Sequence, residues 1–163
     1  TTLYYCGCRV GELQTLSPQD YDGKQLFIHA TYSRKTIDGA PYRITETKNY
    51  KSRYVPLPEK TTHLLNEWLQ YKEKNNMKNN FIFGESDPIS LNAIQKAFSN
   101  GIEKSGVKKI RIHDLRHSYV SLLMSKGANF GVIAALIGDT LEQVVKTYAH
   151  HTEDDKKAIV SML

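Results

Sequence analysis

His113-Asp114-Leu115-Arg116-His117-Ser118-Tyr119-Val120-Ser121-Leu122-Leu123-Met124-Ser125-Lys126 reads as one helix, with Leu115, Tyr119, Leu122 and Leu123 as its apolar line. Gly127 follows at the position where a left-handed residue ends a helix. His113 and Arg116 are three residues apart, so both point to one side of it. Asn129 then opens a short helix through Leu136, with Gly138 after it, and a further helix starts at Asp139 or Thr140 and runs to about His150. Residues from Glu153 to Leu163 read as one more.

Upstream the pattern changes. Residues 1 to about 16 read as a helix broken by Gly7 and Gly11 and stopped at Ser17-Pro18, with Arg9 and Glu12 sharing a face. Gln25 to Tyr32, Tyr42 to Thr47 and Arg53 to Leu57 suit strands, and the polar segment Lys48-Asn49-Tyr50-Lys51-Ser52 reads as a hairpin turn between the last two. After Pro58, Leu64, Leu65, Trp68 and Leu69 recur at helical spacing to about Lys74, and Ser90 caps a helix carrying Ile94, Ala97, Phe98 and Ile102. The expected fold is α+β, mostly α-helical with a small three-stranded antiparallel sheet, in a single domain over residues 1–163.

Composition narrows the function classes. With 163 residues, 40% of them hydrophobic, the chain is long enough for one real core and too short for two comfortable domains. The net charge of +5 and a pI near 9.1 favour a polyanionic partner. No apolar run approaches the roughly 18 residues of a membrane span, and a cytoplasmic protein with no membrane partner is the expectation. Cys6 and Cys8 have no second cysteine pair to complete a zinc site and are expected to be buried free thiols. The opening stretch Thr1-Thr2-Leu3-Tyr4-Tyr5-Cys6-Gly7-Cys8-Arg9 is helix-like without a start signal, which suggests a piece of a longer protein.

Four segments carry chemistry: Gly7-Cys8-Arg9-Val10-Gly11-Glu12-Leu13, Thr45-Glu46-Thr47-Lys48, His113-Asp114-Leu115-Arg116-His117, and Leu136-Ile137-Gly138-Asp139 followed by Tyr148-Ala149-His150. In residue type, order and spacing they resemble the tyrosine recombinases of the phage-integrase type, over nearly the whole chain. The resemblance implies a catalytic domain that breaks and rejoins double-stranded DNA through a 3′-phosphotyrosine link, with no cofactor or metal. It further implies a bacterial or phage-encoded, nucleoid-associated enzyme, working as a homotetramer on DNA or a monomer as the isolated domain. DNA-binding domains and a first catalytic-domain helix would precede Thr1.

The chemistry of that reaction explains the residue types. A pentacoordinate phosphate gathers negative charge that Arg9 and Arg116 can clamp with paired hydrogen bonds of fixed charge. His113 shares the helix face of Arg116. Lys48 matches the family's general acid, since an ammonium near guanidiniums has a depressed pKa and donates its proton more readily; Lys51 is a nearby competitor. Tyr148, one of ten tyrosines, is the expected nucleophile by its Tyr-Ala-His context and its place nine residues after Asp139. The expected catalytic set is therefore Arg9, Lys48, His113, Arg116 and Tyr148. Glu12 would orient a guanidinium or histidine, and His117 would follow the family pattern as a helix histidine without a catalytic task. The bland alternative leaves both arginines solvated or paired with Glu12 and Asp114.

Asp139 departs from the pattern, because the family has a His or Trp there and a carboxylate can neither donate a hydrogen bond to a phosphate nor avoid repelling it. The favoured expectation is that Asp139 caps the tyrosine helix, through Asp139-x-x-Glu142, with Thr140-x-x-Gln143 as a second cap signal and His150 or a water supplying the missing donor. Three rival functions remain. A type IB topoisomerase shares the phosphotyrosine chemistry, a non-catalytic DNA-binding module would suit the basic helices, and a zinc hydrolase could use His113 and His117, one turn apart.

Overall fold

The structure, a computed structural model, describes residues 1–33, 42–47 and 52–148. Gly7 and Pro18 divide the N-terminal stretch as expected: α1 (Thr2–Cys6) ends at Gly7, and α2 (Val10–Thr15) gives way to a single 3-10 turn, Pro18–Asp20. Gly11 lies inside α2 rather than breaking it. A Cβ there would come within 2.6 Å of the Thr31 hydroxyl, so the missing side chain lets α2 lie against the second strand. The Thr15 hydroxyl fastens the same contact by donating to the Ala30 carbonyl at 3.0 Å.

Four strands follow: β1 (Gln25–Ile28), β2 (Ala30–Ser33), β3 (Arg43–Glu46) and β4 (Arg53–Pro56). They do not make the expected three-stranded sheet. β1 pairs antiparallel with β4, Ile28 opposite Arg53, while β2 pairs antiparallel with β3, Ala30 opposite Glu46. The expected strand from Gln25 to Tyr32 thus changes partner at His29. Leu26, Ile28 and Ala30 all stay buried, so the pleat runs through the change. β3 and β4 follow one another along this strand instead of pairing with each other, which replaces the hairpin expected between them. Residues 48–51, with Lys48 and Lys51, lie outside the described residues.

Helices complete the molecule: α3 (Glu59–Lys74), α4 (Leu91–Ser105), α5 (Asp114–Ser125), α6 (Phe130–Ile137) and α7 (Leu141–Tyr148). Ser90 and Asn129 accept the expected capping bonds, from the N–H groups of Ala93 and Val132. The helix expected from Glu153 to Leu163, and His150, fall outside the described residues. Two apolar clusters result. One joins Cys6, Leu13, Leu26, Ile28, Val55 and Leu65, and the other joins Tyr119, Val120, Ile133, Ile137, Val144 and Tyr148. Cys6 and Cys8 are free and buried. Among the described residues no helix is long and apolar enough to cross a membrane.

The segment after α3 is held by polar bonds rather than a strand. Lys72, wholly buried, donates to the carbonyls of Phe81 and Gly84 at 2.6 and 2.7 Å, and the Trp68 indole donates to Ile82 at 2.8 Å. Lys72→Met keeps the stem and strands both carbonyls, so it should destabilise the chain by about 1–3 kcal/mol, read as a lowered urea midpoint.

Candidate active site

The C-terminal end of α6 organises the site. Gly138 takes the left-handed conformation there (φ 67°), and the N–H of Asp139 closes back on the Ala134 carbonyl at 3.0 Å. This turn leaves the carbonyls of Leu136, Ile137 and Gly138 pointing outward at the negative end of the helix dipole. Three arginines from three parts of the chain meet them. Arg53 Nε donates to Leu136 at 2.9 Å, Arg116 Nη1 to Ile137 at 2.6 Å, and Arg9 Nη1 to Gly138 at 3.3 Å. Arg116 Nη1 also donates to the Gly7 carbonyl at 2.7 Å, tying α5 to the link between α1 and α2.

Glu12 binds two of the three. Its Oε2 accepts from the backbone N–H of Arg9 at 2.9 Å and from Arg53 Nη2 at 2.8 Å, and its Oε1 accepts from Arg9 Nη1 at 3.1 Å. Glu12 is 1% exposed, and burial works against its charge. The Arg53 hydrogen bond and charge, with Arg9, outweigh that penalty and leave its pKa below the ordinary glutamate value. Burial, then the neighbouring Arg9 charge, lowers the pKa of Arg116, with Glu12 and Asp139 opposing.

Asp139 completes the cluster. Its Oδ2 accepts from Arg9 Nη2 and from Arg116 Nη2, each at 3.0 Å. The expectation that Asp139 caps the tyrosine helix is corrected here: the Thr140 hydroxyl accepts from the Gln143 N–H at 3.2 Å, while Asp139 turns to the arginines. Its Oδ1 accepts from the adjacent Thr140 N–H, also at 3.2 Å. Of the bland pairings, Arg9 does pair with Glu12, but Arg116 does not pair with Asp114. That carboxylate is taken by the side chain and backbone N–H of Arg111, which hold its pKa at about 2.

The cleft beside these groups, about 250 Å³, is lined by Arg9, His113, Arg116, His117, Asp139 and Tyr148. Two larger hollows, of about 650 and 480 Å³, lie along α3 and gather no comparable set of ionisable groups. Val144 and Tyr148, one turn apart on α7, are buried against the second apolar cluster, and this brings the Tyr148 hydroxyl 2.6 Å from Nδ1 of His117. Burial raises the Tyr148 pKa; the Arg116 charge pulls it down and Asp139 pushes it up. His113 sits at the start of α5 with its ring edge-on to His117, centroids 4.9 Å apart. Burial, then the charges of His117 and Arg116, lowers its pKa and favours the neutral ring.

Of the sequence candidates, Arg9, Glu12, His113, Arg116, His117, Asp139 and Tyr148 come together, and Lys48 and His150 lie outside the described residues. Among the described residues no third His, Cys, Asp or Glu joins His113 and His117 as a group that could hold a metal ion. Arg53 was missed. Its signal is the alternation of β4, which puts Arg53 and Val55 on the buried face, where an arginine needs a partner.

This chain belongs to the phage integrase family, whose model matches residues 1–155. It is 27% identical to a tyrosine recombinase of Thermosipho africanus over 99% of this chain and 51% of that protein. It is 26% identical to the ICEBs1 integrase of Bacillus subtilis, over 100% of this chain and 47% of that protein. The chain therefore spans about half the length of the curated relatives it matches. Among solved structures, the Tn1549 transposon integrase in complex with a circular intermediate DNA has a TM-score of 0.78 at 21% identity, covering 99% of this chain and 56% of that one. The XerA recombinase has a TM-score of 0.70 at 20% identity, covering 92% and 55%. The likeness establishes the tyrosine recombinase catalytic-domain fold.

Removing Arg53 leaves a buried carboxylate short of its main partner, so Arg53→Ala should cost about 3 kcal/mol in urea unfolding. Because the Glu12 pKa is depressed on folding, its contribution is present above the ordinary glutamate range and lost as pH falls through the folded value. The stability gap between wild type and Glu12→Gln should therefore be wide at neutral pH and shrink below about pH 4, in urea midpoints measured across pH.

Proposed function

We propose that this chain is the catalytic domain of a site-specific DNA recombinase, or integrase, that cleaves and rejoins DNA through a 3′-phosphotyrosine intermediate. The observation that carries this reading is the Tyr148 hydroxyl, hydrogen-bonded to His117 in the same cleft as the Arg9 and Arg116 guanidiniums. A phenol with a raised pKa is neutral at physiological pH and attacks poorly unless a base takes its proton. His117 Nδ1 can accept that proton when the ring carries its own on Nε2.

In this mechanism Tyr148 Oη attacks the phosphorus and the bond to the 5′-oxygen breaks. The tyrosine proton passes to His117, and the leaving oxygen takes a proton from Lys48, the assignment that rests on resemblance. Arg9 and Arg116 hold the non-bridging oxygens as charge builds on them. Rejoining is the reverse step with a partner strand's 5′-hydroxyl, and the phosphotyrosine conserves the bond energy. Double-stranded DNA is the proposed substrate and a homotetramer on DNA the proposed working unit. Support for a recombinase over a topoisomerase or a non-catalytic DNA-binding module comes from the relatives, which are called tyrosine recombinase and integrase.

The test is incubation with EDTA and a nicked duplex that traps the cleaved state. A denaturation-resistant protein–DNA adduct should form and vanish in Tyr148→Phe; an adduct that persists in that variant would assign the nucleophile elsewhere. His117→Ala should slow adduct formation by about 10²–10⁴-fold, the usual worth of a positioned base. An unchanged rate would show that the 2.6 Å contact is structural only.

A further inference from the structure

Within the cleft, Asp139 already supplies an anion. Its Oδ2 accepts 3.0 Å hydrogen bonds from Nη2 of Arg9 and from Nη2 of Arg116, so guanidiniums from distant parts of the chain converge on one oxygen. Two charge-assisted donors on one oxygen is also the arrangement a non-bridging phosphate oxygen takes in an arginine clamp. Resting on the reading of this cleft as the phosphate site, we propose that Asp139 is a built-in phosphate surrogate. Its carboxylate fills the phosphate seat in the DNA-free enzyme and has to leave when DNA binds.

The geometry gives it a way out. The Asp139 side chain is 26% exposed, as Arg9 is at 25%, while that of Arg116 is only 6%, so Asp139 and Arg9 together reach the solvent side of the cleft and Arg116 lies beneath them. Its backbone is fixed by the bond to Ala134, which leaves side-chain rotation as the available motion. Oδ1 already lies 3.2 Å from the Thr140 N–H, at the start of α7. Rotation of the carboxylate away from the arginines carries it toward the first-turn N–H groups of that helix, where a negative charge is favoured. Asp139 thus has two acceptor positions, one on the clamp and one on the helix end.

This arrangement makes Asp139 a determinant of what the clamp accepts. While DNA is absent it bridges two guanidiniums through one oxygen and offsets one of their two positive charges. A carboxylate and a phosphate oxygen cannot occupy the seat together, so the apparent affinity for any phosphate falls by the fraction of time the seat is open. A seat filled nine times in ten weakens binding roughly tenfold. A free phosphate meets only the clamp and bears this loss in full, whereas a DNA backbone has further contacts to offset it.

The test uses the 163-residue chain and inorganic phosphate, titrated at constant ionic strength and read as the shift in thermal midpoint. Asp139→Asn removes the charge and keeps the size. It should bind phosphate about tenfold or more tighter than wild type. The gain should disappear in the double variant carrying Asp139→Asn and Arg9→Ala, which places the ion on the clamp. Should the Asn variant not fold, Asp139→Ser, with a hydroxyl suited to a helix start, serves the same comparison. Equal binding by wild type and the charge-removed variant, weaker binding by the variant, or a gain that survives loss of Arg9 overturns the proposal. No DNA cleavage is needed, so failure here and failure of the adduct test are separate results.

Discussion

Three consecutive carbonyls at the end of α6 hold the site together. Leu136, Ile137 and Gly138 each accept a hydrogen bond from a different arginine, at positions 53, 116 and 9. A helix C-terminus has acceptors without partners and a negative dipole end, so it attracts cations whatever their origin in the chain. Here those cations come from β4, from α5 and from the start of α2. Gly138 is what makes the docking surface available: its left-handed turn sends the chain away, and a Cβ at that position would collide with the Arg53 guanidinium.

Bringing three like charges to one place requires counter-charge, and two carboxylates supply it at different depths. Glu12 is buried and shared between Arg9 and Arg53, while Asp139 is at the surface of the cleft and shared between Arg9 and Arg116. Glu12 is locked by four donors and is part of the scaffold. Asp139 is held less completely, its second oxygen accepting from the Thr140 N–H at 3.2 Å beside the start of α7. The same frame sets Tyr148, whose helix follows directly on the turn at Gly138. Tyr148 and the arginine cluster are thus positioned by one turn of chain.

Much of this was legible in the sequence because it depends on local pattern. The His113–Arg116 spacing, the glycine after α6 and the cap residues Ser90 and Asn129 act within one or two helical turns, and the helices formed where these signals placed them. What was not legible depended on partners far away. The strand through His29 reads as one run, and only the register shows that its halves pair with different strands. Arg53 looks like any strand arginine until its partner, Glu12, arrives from 41 residues away. The overlapping cap signals of Asp139 and Thr140 could not be separated by composition. The turn at Gly138 decided it, by giving Thr140 the helix and Asp139 the arginines.

Arg9, Arg116 and Tyr148 are proposed to surround one phosphate seat. A crystal structure of the chain soaked with tungstate, located by its anomalous signal, tests it most directly. The heavy anion is expected within hydrogen-bonding distance of both guanidiniums, facing the Tyr148 hydroxyl, with the Asp139 carboxylate displaced. Tungstate bound elsewhere at saturation, with Asp139 still bridging the two arginines, would contradict it.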